Sequence, residues 1–225
     1  MPELIETFFN SEVFASSLPL LLRGLLNTML LGVTVIVLGS AVGLAVVLLR
    51  LYSWPPVRYL AVLYIDIMRS LPSLVVLVFV YFALPFVGVT LSPFVAAALA
   101  LSLVVAAYTA EICRAGIEAI PRGQFEAAAA LGLSFHVVLR KVILPQALRI
   151  VTPPLISNAI SALKETSIAS VVATPDLLKM ALDTQAQNAN PTPLIGAAVI
   201  YLVVLWPLVK FGAHIEASPK LKQAR

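Results

Sequence analysis

Charge is scarce in this chain. Only 12% of its 225 residues are Asp, Glu, Lys or Arg, against about 25% in an ordinary soluble domain. Cysteine is nearly missing: Cys113 stands alone, so no disulfide can form within the chain. It lies in an apolar stretch and reads as a small packing residue rather than a reactive thiol. Histidine occurs twice, as His136 and His214, and no HExxH or CxxC spacing is present, so no metal site is expected. What fills the chain instead is apolar: 60% of residues are hydrophobic, and the mean hydropathy is +1.00. A soluble domain of this size must cover its surface with polar groups, so a soluble enzyme is excluded. Nucleic acid is not an expected partner. The net charge of +4 and the pI near 9.4 fit an excess of Lys and Arg in cytoplasmic loops.

The expected architecture is an all-α integral membrane protein forming a single domain over residues 1–225. Five apolar stretches stand out, at about 18–49, 57–86, 93–112, 150–172 and 194–211. Each is long enough to cross a hydrocarbon core of ~30 Å as a helix. None alternates with period two, as a membrane barrel strand would. The N-terminus carries Glu3, Glu6 and Glu12 where a cleavable signal would carry Lys or Arg. With the N-terminus outside, Arg50, Arg58, Arg114, Arg122, Arg140, Lys141, Arg149, Lys210, Lys220, Lys222 and Arg225 all fall inside. Little beyond Lys179 falls outside, with Arg23 near the outer end of the first span. That asymmetry places the C-terminus in the cytoplasm. The outer segment 174–193 predicts a short helix over about 176–183, opened by Thr174-Pro175-Asp176. Gly39 and Gly43 form a GxxxG, which suits close packing inside one subunit better than a dimer seam.

The segment between the third and fourth spans is long and ordered-looking. Pro121 can open a helix that runs through Glu126-Ala127-Ala128-Ala129-Ala130-Leu131. Gly132 stands where a helix-ending glycine is common, and Ser134 can cap the next helix. Pro145 is expected to kink that helix before the fourth span. A short helix with small residues suits docking into a groove on another protein, with Phe125, Leu131 and Leu133 as anchors. Its polar face has too little Lys and Arg for a helix lying on lipid.

Glu126-Ala127-Ala128, then three residues, Gly132, then nine residues and Val142-Ile143-Leu144-Pro145 resembles the EAA motif of ABC-importer permeases. Val142 departs from the usual Ile. Tyr108 to Arg114, Gly116-Ile117, Ile120-Pro121, Gly123-Gln124, Leu144-Pro145-Gln146-Ala147, Thr166-Ser167 and Arg69-Ser70-Leu71-Pro72 resemble the polar-amino-acid branch of that family. The similarity covers about residues 18–212.

The resemblance implies the type I ABC importer permease fold, with a cytoplasmic coupling helix within about 121–145. It implies that Gly123, Glu126, Ala127, Ala128, Gly132, Leu144 and Pro145 couple to ATPase subunits. It implies a second permease copy or homologous permease, an extracytoplasmic substrate-binding protein, and an amino acid as substrate. Residence is then the bacterial inner membrane, within the lipid bilayer. ATP and Mg belong to the partner ATPase, and no cofactor is expected on this chain. In agreement, the sequence holds no GxxxxGK[ST] loop.

Ionisable groups at mid-bilayer cost about 2.5–3.5 kcal/mol each on insertion scales, so each needs a reason. Asp66 and Arg69 can pair along one helix face, either lining a path or as a structural salt bridge. Ser157, Asn158, Ser161, Lys164 and Glu165 share about 120° of helix arc at 100° per residue. Such a stripe faces protein or a water-filled path. Asn158, Ser161 and Glu165 suit a zwitterion, with Glu165 toward a cationic group. The alternative is that Lys164 pairs with Glu165 or reaches the headgroups. Glu111 with Arg114, and Arg114 with Glu118, read as structural pairs, and Tyr108 and Tyr201 as packing residues. A channel or ATP-independent secondary carrier is the competing function. Secondary carriers often carry internal repeats, and none is evident. No nucleophile–base set marks a membrane enzyme, and the polar stripe argues against a mere scaffold.

Overall fold

The computed structural model describes residues 6–216. Glu3, Lys220, Lys222 and Arg225 lie outside the described residues. The chain is helical, with no strand among the described residues.

Helix α1 (Ser11–Tyr52) is opened by Asn10, whose side chain accepts from the amides of Glu12 and Val13. Its 42 residues extend about 63 Å at 1.5 Å per residue, roughly twice a bilayer core. Helix α4 (Pro93–Glu118) is the centre of the molecule. Ala96, Ala97, Ala100, Ala106, Ala107 and Ala110 are fully buried, and such small side chains let four other helices close around it. The closest approach is to α1. A Cβ on Gly39 would stand 2.6 Å from Val105 Cγ1, and one on Gly43 would stand 2.6 Å from the Ala106 carbonyl. The GxxxG of the first span is thus a seam within one subunit. Cys113 is buried beside Val47, Ile65 and Ala110, as a packing residue would be.

The stretch expected as a second span, 57–86, is not one straight helix. Helix α2 (Pro55–Ser70) and helix α3 (Ser73–Phe82) meet at 106°. The cause is local. Pro72 has no amide hydrogen to donate and crowds the residue before it, so Leu71 turns extended, with φ −90° and ψ 137°. A 3-10 turn, Leu84–Val87, ends this unit.

After α4 come helix α5 (Arg122–Ala130) and helix α6 (Phe135–Val138). The kink expected at Pro145 takes another form. A π turn, Leu139–Ile143, leads directly into helix α7 (Leu144–Glu165), with the Leu144 amide donating to the Leu139 carbonyl. Pro145 falls just past this wider turn, in the first turn of α7, where a missing amide hydrogen is tolerated. The fourth stretch therefore begins earlier than expected, and beyond Glu165 it tightens into a 3-10 helix, Thr166–Val172. In the segment expected on the outer side, helix α8 (Leu177–Asn188) is longer than expected. Asp176 is its N-cap, so Pro175 precedes the helix rather than lying in its first turn. Helix α9 (Thr192–Glu216) completes the described chain.

Helices α1, α4 and α9 are each long and apolar enough to cross a membrane, and the bent α2–α3 pair together makes a fourth candidate. Helix α7 has sufficient length but carries Arg149, Pro153, Pro154, Lys164 and Glu165.

Candidate functional site: a polar cleft between two central helices

Helices α4 and α7 run side by side with a gap between them. A cleft of about 370 Å³ is lined by Val104, Val105, Tyr108 and Ile112 from α4 and by Pro154, Ser157, Asn158, Ser161, Ala162 and Glu165 from α7. That volume falls within the roughly 300–1,000 Å³ range of small-molecule pockets. The polar stripe foreseen on the fourth stretch supplies the floor. Ser157, Asn158, Ser161 and Glu165 recur at three- and four-residue steps, which put them on one helix face. Lys164 does not line the cleft. It is exposed, with no ion pair among the described residues, so the pairing with Glu165 is not made.

The polar lining is held from both sides. Asn158 Nδ2 donates to Thr109 Oγ1 at 3.3 Å, crossing from α7 to α4. Ser73, the first residue of α3, donates its hydroxyl to Glu165 Oε2 at 2.7 Å. Glu165 Oε1 has no hydrogen-bond partner among the described residues. Because α4 runs inward and α7 outward under the expected topology, Glu165 marks the outer end of the cleft. Tyr108, Ile112 and Pro154 mark its inner end.

Just beyond the inner end lies a charged knot that the sequence only half revealed. Glu111 receives Arg50 at 2.9 Å, Arg114 at 2.6 Å and Arg69 at 3.5 Å, from the ends of α1, α4 and α2. Arg114 also pairs with Glu118. The Glu111–Arg114–Glu118 chain was expected; Arg50 and Arg69 were not. The expected pair of Asp66 with Arg69 does not form. Asp66 is exposed without an ion pair among the described residues, because Arg69 turns toward α4. There its guanidinium lies 5.7 Å from the centre of the Tyr108 ring, within cation–π range. Tyr108, expected as a packing residue, therefore stands between this knot and the cleft. Arg50 lies 61 residues from Glu111, a separation no local pattern encodes.

The segment carrying the EAA pattern forms a second surface. Ala128 is buried with Ile120, Val138, Ile143 and Ala147, which fixes α5 against the start of α7. Gly123, Glu126, Ala127, Leu144 and Pro145 are exposed. Gly132 has φ +68°, and the Leu133 amide donates to the Ala128 carbonyl at 3.1 Å, closing the helix with a Schellman turn. Leu131 is 76% exposed, so the helix end presents apolar surface outward. No His/Cys/Asp/Glu group suited to a metal is found among the described residues.

Comparison with known proteins places this geometry. Residues 36–218 match the family described as binding-protein-dependent transport system inner membrane component. The chain is 38% identical over 220 residues to "Probable amino-acid ABC transporter permease protein YckA" of Bacillus subtilis (strain 168), covering 97% of this chain and 96% of the relative. It is 35% identical over 205 residues to "Arginine transport system permease protein ArtQ" of the same organism, covering 90% and 94%. A crystal structure of an amino acid ABC transporter with histidines superposes with a TM-score of 0.86 at 35% identity, covering 90% of this chain and 95% of that one. With its helical architecture, its EAA segment and these matches over nearly its whole length, the chain belongs to the binding-protein-dependent transport system inner membrane component family, as a membrane-embedded permease subunit of the amino-acid ABC transporter type.

Proposed function

We propose that this permease forms the membrane path of an ATP-driven importer for a polar or charged amino acid, and that the cleft between α4 and α7 is that path. One observation carries the reading: a glutamate carboxylate, Glu165, opens into a cleft otherwise lined by hydroxyl, amide, aromatic and aliphatic groups. A carboxylate within a membrane-embedded helix pair is costly unless it serves a partner or a water-filled route. An amino acid carries an ammonium group that such a carboxylate receives. Ser157, Asn158 and Ser161 add uncharged donors and acceptors alongside it. The relatives are named for arginine, cystine and glutamine transport, and these are the substrates to try first.

The remaining roles follow from the same reading. ATPase subunits, carrying ATP and Mg, dock on the exposed face of α5 and on Leu144 and Pro145. Gly123, Glu126, Ala127 and Gly132 border that contact, and Ala128 anchors it from beneath. A substrate-binding protein delivers from the outer side, and a second permease completes the membrane unit in the bacterial inner membrane, with the N-terminus outside. Arg69 and Asp66 lie inward of the cleft rather than in its lining, so Arg69 acts at the inner exit.

The deciding experiment reconstitutes the permease with its ATPase and binding protein in proteoliposomes and follows radiolabelled arginine, glutamine and cystine. Uptake is expected to require ATP and loaded binding protein, and to fall at least about tenfold in Glu165→Gln. Uptake driven by an ion gradient without ATP would overturn the reading in favour of a secondary carrier.

A further inference from the structure

The break between α2 and α3 does more than bend a span. Because Leu71 and Pro72 leave the helix, α3 begins afresh at Ser73, and that first residue reaches the last residue of α7. The α3 cap is weak: Pro72 offers no side-chain hydrogen bond. The positive end of the α3 dipole is therefore uncompensated by its own cap, and an anion there is favoured. Glu165 meets that need. Its Oε2 accepts from the Ser73 hydroxyl at 2.7 Å across 92 residues of sequence. Its Oε1 faces no other donor among the described residues. Glutamate has three rotatable bonds, and a single charged hydrogen bond is what fixes this one.

We propose that Ser73 is a positioning residue for Glu165. By occupying one carboxylate oxygen, it aims the other into the cleft and thereby sets how strongly the permease holds the cationic group of its amino acid. The proposal rests on Glu165 lining the path. The same break ties the two ends of the cleft together. Arg69, the penultimate residue of α2, reaches Glu111 and the Tyr108 ring at the inner end. Ser73, at the start of α3, reaches Glu165 at the outer end. The five residues from Arg69 to Ser73 thus span the break and touch both limits of the cleft, and the Leu71–Pro72 geometry fixes the distance between those contacts.

The test uses the purified permease–ATPase complex without binding protein, with equilibrium binding of radiolabelled arginine, glutamine and cystine. Ser73→Ala is expected to weaken binding of whichever probe the wild type holds by about tenfold, the loss of one hydrogen bond to a charged group. The maximal ATP-driven uptake rate at saturating loaded binding protein should change less than about twofold, because the bond acts on binding rather than on turnover. Ser73→Thr, which keeps the hydroxyl, should restore binding. Glu165→Gln should weaken binding by itself, and the Ser73→Ala/Glu165→Gln double variant should match Glu165→Gln, since Ser73 acts through that carboxylate. Additive losses in the double variant, or failure of Thr to rescue, would overturn the positioning role. Normal binding in Ser73→Ala beside weakened binding in Glu165→Gln would also overturn it, while leaving the path reading intact. Normal binding in both would remove Glu165 from the path and the proposal with it.

Discussion

Arg69 and Glu111 are joined across 3.5 Å, and this contact ties the end of α2 to the C-terminal third of α4. Glu111 pairs with three arginines, since Arg50 and Arg114 bind the same carboxylate, and of the three Arg114 alone has a second acidic partner, Glu118, among the described residues. Removing one arginine leaves the carboxylate paired. Removing the carboxylate leaves Arg50 and Arg69 without an ion pair among the described residues, beside an Arg114 that keeps only Glu118. Glu111→Gln should therefore destabilise the solubilised protein by about 2 kcal/mol or more, whereas Arg69→Gln should cost under about 1 kcal/mol. Thermal unfolding in detergent checks the difference, and equal losses would show that the knot is not centred on Glu111.

The α1–α4 seam makes a second comparison. A Cβ at Gly43 would lie 2.6 Å from the Ala106 carbonyl, which cannot move without shifting α4, while a Cβ at Gly123 meets nothing within 4 Å. Gly43→Ala should lower stability by about 1–3 kcal/mol, through overpacking. Gly123→Ala should leave it unchanged within about 0.5 kcal/mol. Melting temperatures in one detergent distinguish them, and a neutral Gly43→Ala would mean that the helices separate there at little cost.

Gly132 offers a test of coupling. Nothing crowds its missing side chain, yet its φ of +68° penalises any L residue. Gly132→Val should cost only about 1–2 kcal/mol of stability. Its larger effect should be on the angle at which the EAA helix leaves its turn. The variant should insert and assemble, while loaded binding protein no longer stimulates ATP hydrolysis. Wild-type stimulation and uptake in this variant would remove Gly132 from the coupling role.

Asp176 gives a pH signature. It is fully buried at the start of α8, outside the spans, and only one of its oxygens is bonded, to the Lys179 amide at 2.8 Å. Burial pushes its carboxyl up from 3.8 to about 6. The folded protein therefore keeps a proton that the unfolded chain has already lost between those values. Its contribution to stability is full below about pH 4 and is lost as the pH rises through about 6. Asp176→Asn keeps an N-cap that needs no proton. Its melting temperature relative to wild type should rise between about pH 4 and pH 7.5. Parallel curves for the two proteins would show that Asp176 titrates normally.

The sequence is most informative where a local rule acts alone. Gly132 after a run of alanines announces a helix end, and the structure closes it with a left-handed glycine. The stripe of Ser157, Asn158, Ser161 and Glu165 needs only the helical repeat to become one face, and it lines the cleft. Prolines are less transparent. Pro72 bends the second apolar stretch by 106°, whereas Pro145 sits in the first turn of α7, just after a π turn. Both lack the amide hydrogen, and the surrounding helices decide whether the chain bends or widens.

By itself, then, the sequence determined the solvent in which this chain folds, its helical class and the residues of its EAA segment. Apolar content and helical period are properties of short stretches, legible without neighbours. The partners of its charges were decided only in three dimensions. Arg69 passes over Asp66, three residues away on its own helix, for Glu111 on another. Glu165 is met by Ser73 rather than by Lys164 beside it. The reason is geometric: with its backbone bonds satisfied within each helix, the chain leaves side-chain pairing to whichever helices the bend at Leu71–Pro72 and the alanine-lined α4 bring together.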